Sequence, residues 1–338
     1  MRDPALFFSP GGALEAAEIF RACGAAAAAG RRIRAVIAES PFGPVKGVEL
    51  PAAHSSIEDI ARAAGAEETL VFLSHSSMNE IHEISRSDFL AVAGGGVAFG
   101  IFIDAVRKAG LYVPHEPDDT TRETTIAGII MGGAAFRTER RFGRLREYIL
   151  SLELVTPGGE IIRTGSRSVK DVTGYDLTGF LMGGGGRCGM IVRATMRLLP
   201  APGTRLGFLC EGARVALESL AGEIRKRLEP AFLEMFPARG SGAAGDGSPA
   251  MARLIGELQS AVRDREQALL GSLSGLAPEG VRVSRLEAAA LAATATPGGT
   301  PLPGRSAGDE RAVEGERIVE ELERRRYRVF DPQGIMLP

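Results

Sequence analysis

The sequence predicts an α+β fold, and three observations predict it. Helix-like and strand-like segments follow one another without a regular βαβ period, a hairpin is spelled across Thr156-Pro-Gly-Gly159, and a glycine loop joins a short helix to a strand after Asp176. A doubly wound dinucleotide-binding sheet is therefore not expected.

Taken in order, Ala13 to Ala29 is helical by its alanine and leucine content, Arg32 to Ala38 is a strand, and Ser56 to Ala64 is a helix capped by Ser55 or Ser56. Thr69 to Leu73 and Phe89 to Ala93 are strands, and Ile101 to Lys108 is an amphipathic helix. Ile149 to Val155 and Glu160 to Arg163 form the hairpin arms. Asp176 caps a helix that begins at Leu177, and Met190 to Leu199 alternates apolar with polar residues as a half-buried strand does. After Pro200 the composition shifts. Glu211 to Leu228, Ala250 to Leu273 and Asp309 to Arg326 are expected to be helical, separated by loops at Pro237 to Pro249 and Ala295 to Gly308.

With 338 residues, 44% of them hydrophobic, the chain can fill two cores. Forty basic against 42 acidic side chains leave a net charge of −2, which gives no electrostatic basis for a nucleic-acid partner. The runs Arg137 to Arg146 and Arg324 to Arg326 are expected to be solvated faces or partner contacts. Cys23, Cys188 and Cys210 have no CxxC pairing and no histidine spacing for zinc or an iron–sulfur cluster, so no metal site is expected and the protein is read as reduced and cytoplasmic. The apolar part of the N-terminus is too short for a secretion signal, and no run is long enough to span a bilayer. Membrane contact is expected only peripherally, at the inner face, through partners.

Gly183, Gly184, Gly185, Gly186 and Gly189 put five glycines in seven positions. Such a loop takes positive φ and brings backbone N–H groups close to a phosphate or a ring carbonyl, the property a large anionic cofactor needs. On spacing alone a plain glycine turn fits as well.

The run Lys170-Asp-Val-Thr-Gly-Tyr-Asp-Leu177, followed by Gly183-x-x-Gly186-x-x-Gly189-x-Ile191, resembles the FAD-linked oxidases with a vanillyl-alcohol-oxidase (PCMH-type) flavin domain, above all glycolate oxidase and D-lactate dehydrogenase subunits. The likeness continues upstream through Gly110-Leu-Tyr-Val-Pro114, Pro117-Asp118, Thr125-Ile-Ala-Gly128, Gly132-Gly133, Gly143 and Thr156-Pro-Gly-Gly-Glu160. It implies a two-subdomain PCMH-type FAD-binding domain over residues 1–200, the subdomains meeting near residue 105. The resemblance implies a cap of mixed sheet and helix next, longer than what stands here; with the helical composition after Pro200, residues 201–325 are read as a shortened, largely helical cap, and 326–338 resembles the family's closing segment. FAD is implied as a noncovalent cofactor. Pro117, Asp118, Thr125, Ile126, Ala127, Gly128, Gly132 and Gly133 are implied to hold its diphosphate and ribityl, and Gly183, Gly186, Arg187, Gly189 and Ile191 to line its flavin and adenine ends. Gly143 and Lys170 belong to the matched motifs, and Tyr175 is a flavin contact or a packing residue.

The chain also departs from the pattern. The family's first diphosphate loop, Pro-Arg-Gly-x-Gly-Thr, has no counterpart in Glu39-Ser-Pro-Phe-Gly-Pro-Val-Lys-Gly47; Ala127 stands where glycine is usual; and Gly184, Gly185 and Arg187 replace Ser, Glu and Thr. Arg187 and Lys46 offer charge in place of the lost amide donors. The family's late histidine-rich motif, which takes the substrate proton, is not found: the four histidines are His54, His75, His82 and His115. His75 and His82 are expected to be exposed, and His115 neighbours the cofactor segment. No catalytic residue is assigned. Two readings stand: an FAD-bearing subunit that relays electrons beside a catalytic flavin subunit and an iron–sulfur protein, or a flavin-free degenerate relative with an assembly or regulatory role.

Overall fold

The computed structural model describes residues 5–30, 32–37, 39–40, 43–44, 55–62, 69–168, 176–184, 186–237 and 251–287. The chain begins with β1 (Ala5–Phe8), α1 (Ala13–Ala28), β2 (Ile33–Ile37), the two-residue strands β3 (Glu39–Ser40) and β4 (Gly43–Pro44), α2 (Ile57–Arg62) and β5 (Thr69–Leu73). Strands β1, β5 and β2 pair in parallel in that spatial order. Helix α1 buries Ala16, Ala17, Ile19, Phe20, Cys23 and Ala26, a face built of small residues that lets the helix approach closely around Phe20.

The next elements are β6 (Ile81–Ser85), β7 (Leu90–Gly94), α3 (Phe99–Lys108), β8 (Leu111–Tyr112), α4 (Asp119–Glu123), α5 (Ile126–Gly132) and α6 (Glu139–Phe142). After a 3-10 turn at Leu145–Tyr148 come β9 (Ile149–Val155), β10 (Ile161–Gly165), α7 (Leu177–Leu181), β11 (Met190–Arg197) and β12 (Leu199–Pro200). Five of these strands form an antiparallel sheet in the order β10-β9-β11-β7-β6. On one face Leu152, Leu154, Ile191, Ala194 and Met196 meet Phe99, Phe102, Ile126 and Ile130. On the other, Val155, Met190 and Val192 join Phe20, Val71 and Leu73, so α1 lies between the two sheets. A bulge between Ile191 and Arg193 allows Ile191 and Ala194 to share a face.

The expected subdomain boundary near residue 105 is corrected. Strands β6 and β7 and helix α3 belong to the five-stranded layer, because β7 pairs with β11 from Leu90↔Arg197 to Gly94↔Arg193.

The remaining described elements are β13 (Thr204–Ala213), α8 (Arg214–Arg227), β14 (Phe232–Pro237), β15 (Met251–Ser260), α9 (Glu266–Leu276) and β16 (Arg282–Leu286). They make an antiparallel sheet in the order β14-β15-β13-β16, with α8 and α9 packed on one face through Phe208, Leu254, Leu258, Leu217, Ile224 and Leu273. The expected largely helical cap is thereby corrected: the described part is a sheet with two helices. Residues 251–260 carry helix-forming Ala, Leu and Glu, but Ala252, Leu254 and Leu258 face the helices while Ile255 joins Phe232 on the other face, a strand's alternation. Asp309 to Arg326 lies outside the described residues.

This third sheet is tied to the rest by ion pairs. Within the sheet Arg205 of β13 grips Glu257 of β15 with Nε and Nη2 at 3.0 and 2.7 Å, and its Nη1 reaches out of the sheet to Glu116 at 3.1 Å. Arg107 also pairs with Glu116, and Gln259 donates to Tyr112 Oη at 2.9 Å. Among the described residues no helix is long and apolar enough to cross a membrane.

Candidate cofactor site

Strand β2 ends at Ile37, and the glycine loop folds back onto that end. A Cβ placed on Gly186 would stand 3.2 Å from Ile37 Cδ1 and 3.3 Å from Met131 Sδ, and Gly186 itself has φ +81°. Glycine is required there, since any side chain would meet both left-handed strain and close neighbours. Gly183 N–H donates to Ile130 O at 3.0 Å, and a Cβ on Gly133 would lie 3.3 Å from Gly183 Cα. Gly132, Gly133 and Gly183 are solvent-exposed, and the space a Cβ on Gly183 would occupy is open. The structure therefore brings the C-terminal end of α5 and the glycine loop together as a seam of bare backbone beside the end of β2.

The other expected residues divide by role. At the start of α5, Ile126 N–H donates to Val97 O, Ala127 N–H to Gly95 O and Gly128 N–H to Thr125 Oγ1. These amides are engaged internally, and Ile126, Ala127 and Gly128 are buried. The Ala127 methyl would lie 3.2 Å from a Cβ on Gly95, so close packing here falls on Gly95. Asp118 caps α4, accepting from Thr121 N–H and Oγ1–H at 2.7 Å each, while Pro117 beside it is half-buried. Gly189 has φ +131° and would place a Cβ 2.1 Å from Val155 O, and Ile191 is buried in the main core. Arg187 is half-buried within the loop. Lys170, Tyr175, Lys46 and His54 lie outside the described residues.

His115 is fully buried between the rings of Phe136 and Tyr148, with centroids at 5.2 and 4.8 Å. Its Nε2 faces Gly143 O at 3.0 Å, and a neutral ring must donate there. Burial pulls its pKa down to about 4, against smaller upward pulls from the Gly143 carbonyl and the Glu147 carboxylate. The His115–Gly143 bond thus links the segment around Pro114 to Asp118 to the turn that ends α6, where Gly143 has φ +83°.

The expectation that His75 is exposed is corrected. It is fully buried in the loop after β5, where Gly95 and Gly96 leave room for its Cδ2 and carbonyl. The sequence signal for it was the run Gly94-Gly95-Gly96, since consecutive glycines at a strand end mark close backbone approach. His82 is exposed as expected. A cavity of about 380 Å³ opens at the start of α1, and its cations Arg163 and Arg193 already pair with Glu153.

The seam suits a large planar cofactor that lies against backbone, and its exposed glycines provide the accessible main chain that FAD needs. Residues 53–165 match the family of FAD binding domains, which defines the chain as a flavoprotein by class. Among curated relatives it is 35% identical over 161 residues to the glycolate oxidase subunit GlcD of Bacillus subtilis, covering 47% of this chain and 34% of that protein. It is 36% identical over 138 residues to the D-lactate dehydrogenase of Archaeoglobus fulgidus, covering 41% and 30%, and 30% identical over 127 residues to the glycolate oxidase subunit GlcE of Escherichia coli, covering 37% and 35%. A solved alkyldihydroxyacetonephosphate synthase shares the fold, with a TM-score of 0.60 at 14% identity over 83% of this chain and 52% of that one. Over residues 53–165 the chain carries an FAD binding domain similar to those of FAD-linked oxidases, which supports FAD as its cofactor. It spans about a third of the length of the curated relatives it matches.

Proposed function

We propose that this chain is the FAD-binding subunit of a glycolate- or D-lactate-type 2-hydroxy-acid oxidoreductase complex, relaying electrons rather than oxidising substrate alone. The observation that carries the reading is the exposed backbone seam of Gly132, Gly133 and Gly183 within a domain similar to two differently named glycolate oxidase subunits. Bound there, FAD supplies a two-electron acceptor that can pass electrons on singly. Gly132, Gly133, Gly183 and Gly186 hold it against main chain, Arg187 contributes fixed positive charge, and Pro117 bounds the segment fixed by Asp118 and His115. Residues 1–200 form the flavin domain, 201–325 the cap and 326–338 a segment returning to it. A catalytic flavin subunit and an iron–sulfur protein are the partners, and the complex is cytoplasmic or peripheral at the inner face of the membrane.

A second reading, a flavin-free assembly subunit, is favoured by the internal engagement of the α5 amides and by the missing first diphosphate loop. The visible spectrum of the purified chain, with and without added FAD and followed by acid release, separates the two. Oxidised-flavin bands near stoichiometric occupancy, weakened by Arg187→Ala, support the first; a colourless protein that takes up no FAD leaves the second.

A further inference from the structure

Cations on the described surface are mostly matched. Arg107, Arg122, Arg163, Arg167, Arg205 and Arg285 each lie against a carboxylate. The facing ends of α6 and α8 are different. The last turn of α6 carries Arg140 and Arg141, and the last turn of α8 carries Arg225, Lys226 and Arg227. Arg141 Nη1 donates to Glu229 O at 2.6 Å, which fixes the two helix ends side by side. Lys226 and Arg227 share the single carboxylate of Glu223, while Arg140, Arg144 and Arg225 have no ion pair among the described residues. The Nε of Arg225 is buried without a hydrogen-bond partner there. Burial, and then the facing Arg140 guanidinium, both push the Arg225 pKa down, as unneutralised like charges held together do.

We propose that the arginines at the facing ends of α6 and α8 form a docking surface for the acidic face of a partner protein. Cations at helix C-termini are locally favourable, which explains why each helix tolerates its own set. It does not explain why two sets converge, with the six cations Arg140, Arg141, Arg144, Arg225, Lys226 and Arg227 outnumbering the carboxylates of Glu139, Glu147, Glu223 and Glu229 on the same segments. On a chain of net charge −2 this is a segregated positive field, the arrangement that steers a complementary protein surface into register. An extended nucleic acid would find no net positive charge on the rest of the chain to follow. A lipid surface would need apolar anchors beside the cations, and none of the large exposed apolar side chains lies on α6 or in the last two turns of α8.

The test uses the full chain and a fluorescein-labelled glutamate decapeptide as probe, with binding measured across a salt series. Arg140→Glu/Arg144→Glu changes two exposed side chains that form no ion pair among the described residues. It is expected to weaken peptide binding about tenfold or more at low salt and to flatten the salt dependence. The same charge change at Arg86 and Lys108, exposed elsewhere, is expected to leave binding within twofold. The proposal is overturned if the peptide does not bind, if the Arg140/Arg144 and Arg86/Lys108 variants behave alike, or if a single-stranded thymidine decamer or phosphatidylglycerol vesicles bind more tightly than the peptide. None of these readouts requires flavin, so failure here is separate from failure of the cofactor reading.

Discussion

His115 makes a pH prediction whose size can be worked from its surroundings. Its Nε2 must donate to the Gly143 carbonyl, so the neutral ring leaves Nδ1 bare, and that atom is buried with no hydrogen-bond partner among the described residues. Protonating Nδ1 would set a charge between two aromatic edges with no acceptor, which is why burial holds the folded pKa near 4 while the unfolded chain keeps the ordinary 6.5. The folded state therefore binds fewer protons than the unfolded one between those values. The stability this group contributes is complete above pH 6.5 and is lost as the pH falls toward 4. At pH 5, about 1.5 pH units below the unfolded value, the loss is about 2 kcal/mol. Urea unfolding at pH 8, 6 and 5 of the parent and of His115→Gln, which keeps a donor for Gly143 and cannot titrate, isolates the effect because all other groups cancel. The variant is expected to lose about 2 kcal/mol less than the parent between pH 8 and 5. Parallel stability curves for the two proteins would refute the reasoning.

Two further outcomes follow from local geometry. Gly186→Ala and Gly183→Ala both force a side chain into positive φ, at +81° and +72°, costing about 1–2 kcal/mol each. Only Gly186 also meets Ile37 and Met131, so its urea midpoint and flavin content should fall further; equal behaviour of the two variants would show that the loop does not rest on β2. Arg205→Met strips the bidentate partner from Glu257, whose side chain is 4% exposed, and is expected to destabilise by about 3 kcal/mol. Adding Glu257→Leu should recover most of that, and a double-mutant cycle with no coupling would dismiss the ion pair as a stabilising link between β13 and β15.

Much of this was legible in the sequence. Strands such as 69–73 and 149–155 and the helix at 13–28 announced themselves because their local pattern and their burial agree. The strand at 251–260 did not: its helix formers are overruled by pairing with β13 and β14, and neither partner is adjacent in sequence to the residues it fixes. At the site, the glycine loop was readable because positive φ demands glycine at 183, 186 and 189. The burial of His75 was not, since the Gly94-Gly95-Gly96 run signals a close approach without telling which residue it admits. Nor could spacing show that the amides of residues 126–128 are satisfied by Val97, Gly95 and Thr125, a fact settled only when β7 and α5 meet.

The position of α1 between the two sheets has a consequence for how the flavin domain comes apart. Phe20, Val71 and Leu73 share one apolar cluster with Val155, Met190 and Val192, so the parallel layer closes its interior only against strands that follow it by about eighty residues or more. A fragment ending after β5 would leave that side of α1 wet. Hydrogen exchange should accordingly find the amides of β5 and β11 opening together as one unit, and the N-terminal layer should gain protection only once β11 has been made.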